Sequence, residues 1–109
     1  KRVPDPVAKI AGIKEGGIEK NTLLAAGAII PAMEDFEFEL YFRVQSFTMG
    51  TIINGDWVQR RANGNRFTGE MMNIIRDASR GQKFFFESIQ AEGDDGTTRT
   101  LNSINLTIN

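Results

Sequence analysis

Thr48-Met49-Gly50-Thr51-Ile52-Ile53-Asn54-Gly55-Asp56-Trp57-Val58-Gln59-Arg60-Arg61-Ala62 reads as a β-hairpin. Asn54 and Gly55 tolerate the positive φ angles of a type I′ turn, whose twist matches that of the two strands it joins. The strands predicted on either side are residues 48–53 and 56–62, rich in the branched and aromatic residues that suit a pleated surface.

Upstream, Phe36, Phe38, Leu40, Phe42 and Val44 alternate with Glu37, Glu39, Tyr41 and Arg43, the period of a half-buried strand. The apolar parity then switches to Phe47 and Met49, which predicts a bulge or corner near Gln45 and Ser46 so that both sets face a core. Downstream, Phe67, Met71, Ile74, Ile75 and Ala78 recur at intervals of three or four and predict a helix over residues 68–80, with Thr68 as cap and Gly81 as stop. Residues 84–91 then return to strand character, Gly93 to Gly96 makes a turn, and residues 97–108 complete a second hairpin. Leu101 is out of parity with Ile104, so a second irregularity is expected around Asn102 and Ser103.

The N-terminal part is less regular. Pro4 and Pro6, followed by Gly12, Gly16 and Gly17, suggest a linker leading into a first strand over residues 1–17, ahead of a single β-rich domain over 18–109. Asn21 is the expected cap of a short helical turn that Gly27 ends. Ile29, Ile30 and Met33, interrupted by Pro31, suit a strand at a sheet edge. The fold class predicted is mainly β, an antiparallel β-sandwich-like domain with one α-helix and this short N-terminal turn.

At 109 residues, 40% hydrophobic and 25% charged, the chain suits one globular core. A net charge of −1 gives no overall attraction to nucleic acid or anionic lipid. No apolar run is long enough to cross a bilayer as a helix, and the chain opens on Lys1 without a targeting segment. Any targeting segment is therefore expected to lie outside it, in a longer protein from which this chain is an excised piece, and the absence of cysteine leaves cytosol and periplasm equally open.

With no histidine and no cysteine, Ser-His-Asp and Cys-His nucleophile schemes and ordinary zinc sites are closed. Asp35, Glu37 and Glu39 would share one strand face, which a glycosidase-like carboxylate pair would need, yet exposed alternation favours a solvated acidic stripe. Glu92, Asp94 and Asp95 lack the ligand spacing of a calcium loop and read as a turn. The glycines at 12, 16 and 17 lack the lysine and hydroxyl residue of a phosphate loop. No catalytic residue, metal site or cofactor is expected.

The charge is unevenly placed: Arg60, Arg61, Arg66, Arg76, Arg80 and Lys83 follow Glu34, Asp35, Glu37 and Glu39. Trp57 precedes Gln59, Arg60 and Arg61, and tryptophan with arginine is the pairing enriched at interface hot spots. Trp57, Gln59, Arg60, Arg61 and Arg66 are accordingly the candidate partner-binding residues. Among Phe84, Phe85 and Phe86, alternation buries part of the cluster and leaves Phe85 or a neighbour for an interface.

Three segments together, Val3-Pro4-Asp5-Pro6-Val7-Ala8, Met33-Glu34-Asp35-Phe36-Glu37-Phe38 with Phe47, and Gly93-Asp94-Asp95-Gly96-Thr97-Thr98-Arg99, resemble the C-terminal domain of GldM/PorM proteins. The resemblance runs the length of the chain. It implies a Bacteroidetes type IX secretion and gliding-motility component, anchored in the inner membrane by one helix and dimeric in the periplasm. It further implies a GldL/PorL-type motor partner at the membrane and GldK/GldN or PorK/PorN-type outer-membrane-associated ring subunits at the distal end. The domain's job would then be coupling. The alternative reading is an immunoglobulin-like or carbohydrate-binding β module with no motor role.

Overall fold

The computed structural model of the chain describes residues 5–33 and 41–109. The expected strand residues 36–40, including Phe38, and the acidic residues Asp35, Glu37 and Glu39 lie outside these. In chain order the elements are β1 (Val7–Lys9), β2 (Glu15–Ile18), α1 (Lys20–Ala26), β3 (Ile30–Ala32), β4 (Phe42–Ile53), β5 (Asp56–Asn63), α2 (Gly69–Arg76), β6 (Lys83–Gly93), β7 (Thr98–Thr100) and β8 (Ile104–Ile108). The fold is mainly β, as the sequence predicts. The larger sheet runs β2-β8-β6-β4-β5, with β7 also on β6, and a small antiparallel pair joins β1 to β3.

The Asn54-Gly55 turn forms as expected, with φ of 52° and 83°, and sets the β4–β5 register from Ile53 opposite Asp56 to Ser46 opposite Asn63. Both predicted irregularities are present. On β4, pairing with β6 shifts between Val44 and Ser46 and again between Ser46 and Thr48, and the buried set passes from Phe42 and Val44 to Phe47 and Met49. On the other side of β6, the β7–β8 gap falls at residues 101–103. The register survives it: Gln90 opposes Thr100, Phe86 opposes Ile104, and the Leu101 amide donates to the Ile89 carbonyl across the gap (2.8 Å). Strand β6 changes parity at the same level, from Phe84 and Phe86 to Ile89 and Ala91, through Ser88 at a φ of 53°. Three adjacent strands thus bend along one line, which lets a long sheet keep its apolar residues in one core cluster.

That line is pinned from outside by Asn102. Its side-chain oxygen accepts from the Ala8 amide (2.8 Å) and its amide group donates to the Ala8 carbonyl (3.1 Å), so a side chain substitutes for a neighbouring strand. The segment read as a linker with a first strand therefore supplies β1 and most of β2, and buries Ala8 and Ile10.

Two helices complete the core. For α2, the Thr68 hydroxyl accepts from the Met71 amide (3.2 Å) as expected, and Met71 and Ile75 are buried. The helix ends at Arg76 with Asp77 as its cap, short of the predicted residue 80, because Ala78 already turns back to the Ile75 carbonyl; Gly81 instead donates to Ile108. The expected N-terminal turn is a two-turn helix, and its cap is Glu19 rather than Asn21, which lies inside it. No side chain caps that end, whereas Gly27 closes the other in the left-handed conformation (φ 61°), as expected. One pairing has no local signature: β2 adds to β8 in parallel, Glu15 opposite Asn105 through Ile18 opposite Ile108.

Candidate partner-binding face

Strand β5 sorts the candidate residues by parity. Trp57, Gln59 and Arg61 are exposed on one face, while Val58, Arg60 and Ala62 turn to the side of the core, where Ala62 is buried. The structure therefore brings Trp57, Gln59 and Arg61 together and sends Arg60 to the opposite face. There its guanidinium pairs with Glu70 of α2 and donates to the Gln59 carbonyl (2.8 Å). Arg66 lies beyond the strand, in an isolated bridge with Ala28, and does not join the group.

Trp57 is 48% exposed yet held on several sides. Its indole N–H donates to the Gln59 side-chain oxygen (2.9 Å), and its ring lies 5.8 Å from that of Phe85, tilted by 44°. Beneath it is Gly50, where a Cβ would collide with the indole ring; only glycine lets the ring lie against the strand. Ile52, opposite Trp57 and 56% exposed, extends the apolar patch. Ile52 and Gly50 escaped the sequence reading although the Asn54-Gly55 turn fixes which residues oppose Trp57 and Gln59; Phe85 is the half-buried member of an aromatic run whose other two rings are buried.

Gly50→Val is expected to lift the indole off the strand, at a cost of about 1 to 3 kcal/mol for forced repacking. A red-shifted tryptophan emission with a lower urea midpoint would report it. Unchanged emission would show that the ring does not rest on Gly50.

A groove of ≈ 760 Å³ opens at the hairpin tip, between it, α2 and the loop after α2, lined by Ile53, Asn54, Arg60, Glu70, Ile74 and Arg80 among others. Its central charges, Arg60 and Glu70, already satisfy each other.

At the far end of the sheet the turn carboxylates face cations. Glu92 and Asp94 approach Arg43 at 3.6 and 3.5 Å, and Asp95 approaches Arg99 at 3.5 Å. Hydrogen bonds from the Thr97 hydroxyl and amide, together with Arg99, hold the Asp95 carboxyl below its ordinary 3.8. A depressed folded-state value means a contribution that is full above the ordinary carboxylate range and is lost as pH falls through it and below. Asp95→Asn is therefore expected to lower stability at neutral pH and to flatten the acid limb of the stability profile. Parallel acid limbs for variant and parent would refute this.

No curated protein sequence matches the chain. Residues 4–109 match a family model described as GldM C-terminal domain.

Proposed function

Because the chain belongs to the GldM C-terminal domain family, a family of gliding motility and type IX secretion, we propose that it is a periplasmic coupling domain that docks an inner-membrane-anchored shaft onto outer-membrane-associated ring subunits. Among the described residues no helix is long and apolar enough to cross a membrane, so contact with a GldL/PorL-type motor subunit is assigned to a membrane helix outside them. The ring subunits are of the GldK/GldN or PorK/PorN type, and the shaft is a homodimer. Force transfer of this kind calls for a stiff domain with a pre-formed contact surface rather than for reacting groups.

The observation that carries this reading is the Trp57 face. A large aromatic ring fixed by Gly50, Phe85 and Gln59 and still open to solvent has little freedom left to lose on binding, the property that lets one residue dominate an interface.

The test is a pull-down of this chain, and of the whole periplasmic region, against the ring subunits. The chain is expected to retain them, and Trp57→Ala to weaken retention by at least about ten-fold, the loss of one hot-spot residue. Retention unaffected by Trp57→Ala would overturn the assignment of the surface. Retention by the longer region alone would make this domain a spacer.

A further inference from the structure

We propose that the open edge of β5 is a strand acceptor, which takes an extended acidic segment of a partner protein as an additional strand of the sheet. The proposal rests on the docking role above and states its chemistry.

Strand β5 ends the path β2-β8-β6-β4-β5, and among the described residues it pairs with β4 alone. A two-residue hairpin loop makes the pair flanking it, Ile53 and Asp56, exchange both backbone bonds, and such pairs alternate along the ladder. Val58, Arg60 and Ala62 therefore spend their backbone groups on β4. Those of Trp57, Gln59 and Arg61 point to the open edge. One contact corroborates this direction: the Arg60 guanidinium reaches the Gln59 carbonyl at 2.8 Å, where an incoming strand's amide would otherwise lie.

This edge is long and carries neither proline nor an irregularity in its pairing with β4. The opposite edge, β2, is a four-residue strand containing Gly16 and Gly17 and has few side chains to specify an occupant. The residues of the β5 edge do specify one. Trp57 offers an anchor at one end, and Arg61 stands on the same face with no carboxylate partner among the described residues. Arg60 stands on the other face. Opposite charges across a strand pair stabilise it and like charges oppose it. Pairing β5 with a second copy of itself centred on Arg60 would set arginine against arginine, and Arg60 is already matched by Glu70, so Arg61 is the cation left to an occupant, and an acidic strand is the partner that matches it.

The test uses the whole chain with a capped synthetic peptide of alternating glutamate and valine, its lysine counterpart, and amide hydrogen exchange as the readout. The acidic peptide is expected to slow exchange at Trp57, Gln59 and Arg61 by at least about ten-fold at saturation, and the lysine peptide to leave it unchanged. Arg61→Glu is expected to weaken the acidic peptide by at least about ten-fold. Gln59→Pro removes an edge donor without touching the ladder to β4, and is expected to abolish the protection. Equal binding of both peptides, or binding that leaves these amides unprotected, overturns the proposal. Ring subunits retained equally by the parent and Gln59→Pro overturn strand addition while the docking role stands. An acidic peptide that protects β5 when ring subunits fail to bind upholds the strand acceptor and overturns that role.

Discussion

Phe86→Ala is expected to destabilise the domain by about 3 to 5 kcal/mol, the range for truncating a buried aromatic side chain. Phe86 is fully buried on the central strand β6, opposite Met49 on one side and Ile104 on the other. Its ring stacks on Phe67 at 5.4 Å between centroids and lies 6.2 Å from Phe47. Strands on both sides and α2 beyond Phe67 limit how far the site can collapse, which keeps the cost of the cavity high. The neighbouring Phe85→Ala supplies the control, since Phe85 is half-buried on the other face against Trp57 and should cost less. The two urea midpoints decide the matter. Equal losses would mean that the parity of β6 has been assigned to the wrong faces.

That parity was legible in the sequence because it is a local property. The Asn54-Gly55 turn, the switch near Gln45 and Ser46, the irregularity at Asn102 and Ser103, and the Thr68 cap all declare themselves within a few residues, and each forms where expected. What a short window does not carry is which segments meet. The parallel addition of β2 to β8 joins the two ends of the chain. Asn102 was visible only as a break, whereas its bonds to Ala8 depend on a segment far away in sequence. Glu19 took the cap position from Asn21 although Asn21 has the better capping side chain, because packing of Leu23 and not the cap decides where so short a helix begins.

The candidate site was half legible for the same reason. Nearness in sequence put Trp57, Gln59, Arg60, Arg61 and Arg66 in one group, and strand alternation divides them. Applying the two-residue period to the set would have separated Arg60 from Arg61. Finding Gly50 beneath Trp57 requires the cross-strand register as well.

Arg99→Met is expected to cost about 2 to 4 kcal/mol, since removing one partner of a buried ionic cluster leaves the others uncompensated. Arg99 is only 8% exposed. Its guanidinium lies 5.1 Å over the Phe42 ring, contacts Asp5 at 3.1 Å and Asp95 at 3.5 Å, and donates to the Thr97 hydroxyl at 3.3 Å. One side chain on β7 thus ties the N-terminal segment, the β6–β7 turn and the first residue of β4 together. The carboxylates of Asp5 and Asp95 keep some access to water, which holds the expected cost towards the lower end of the range. Lysine should not restore the loss, because a point charge cannot bridge two carboxylates and stack on a ring as a planar guanidinium does. The loss should also shrink on acidification: the carboxyl of Asp95, held below its ordinary 3.8, accepts a proton at the lowest pH and no longer needs the cation. Urea unfolding of the parent, Arg99→Met and Arg99→Lys at neutral and strongly acidic pH measures all of this, and a lysine variant as stable as the parent would reduce the role of Arg99 to simple charge.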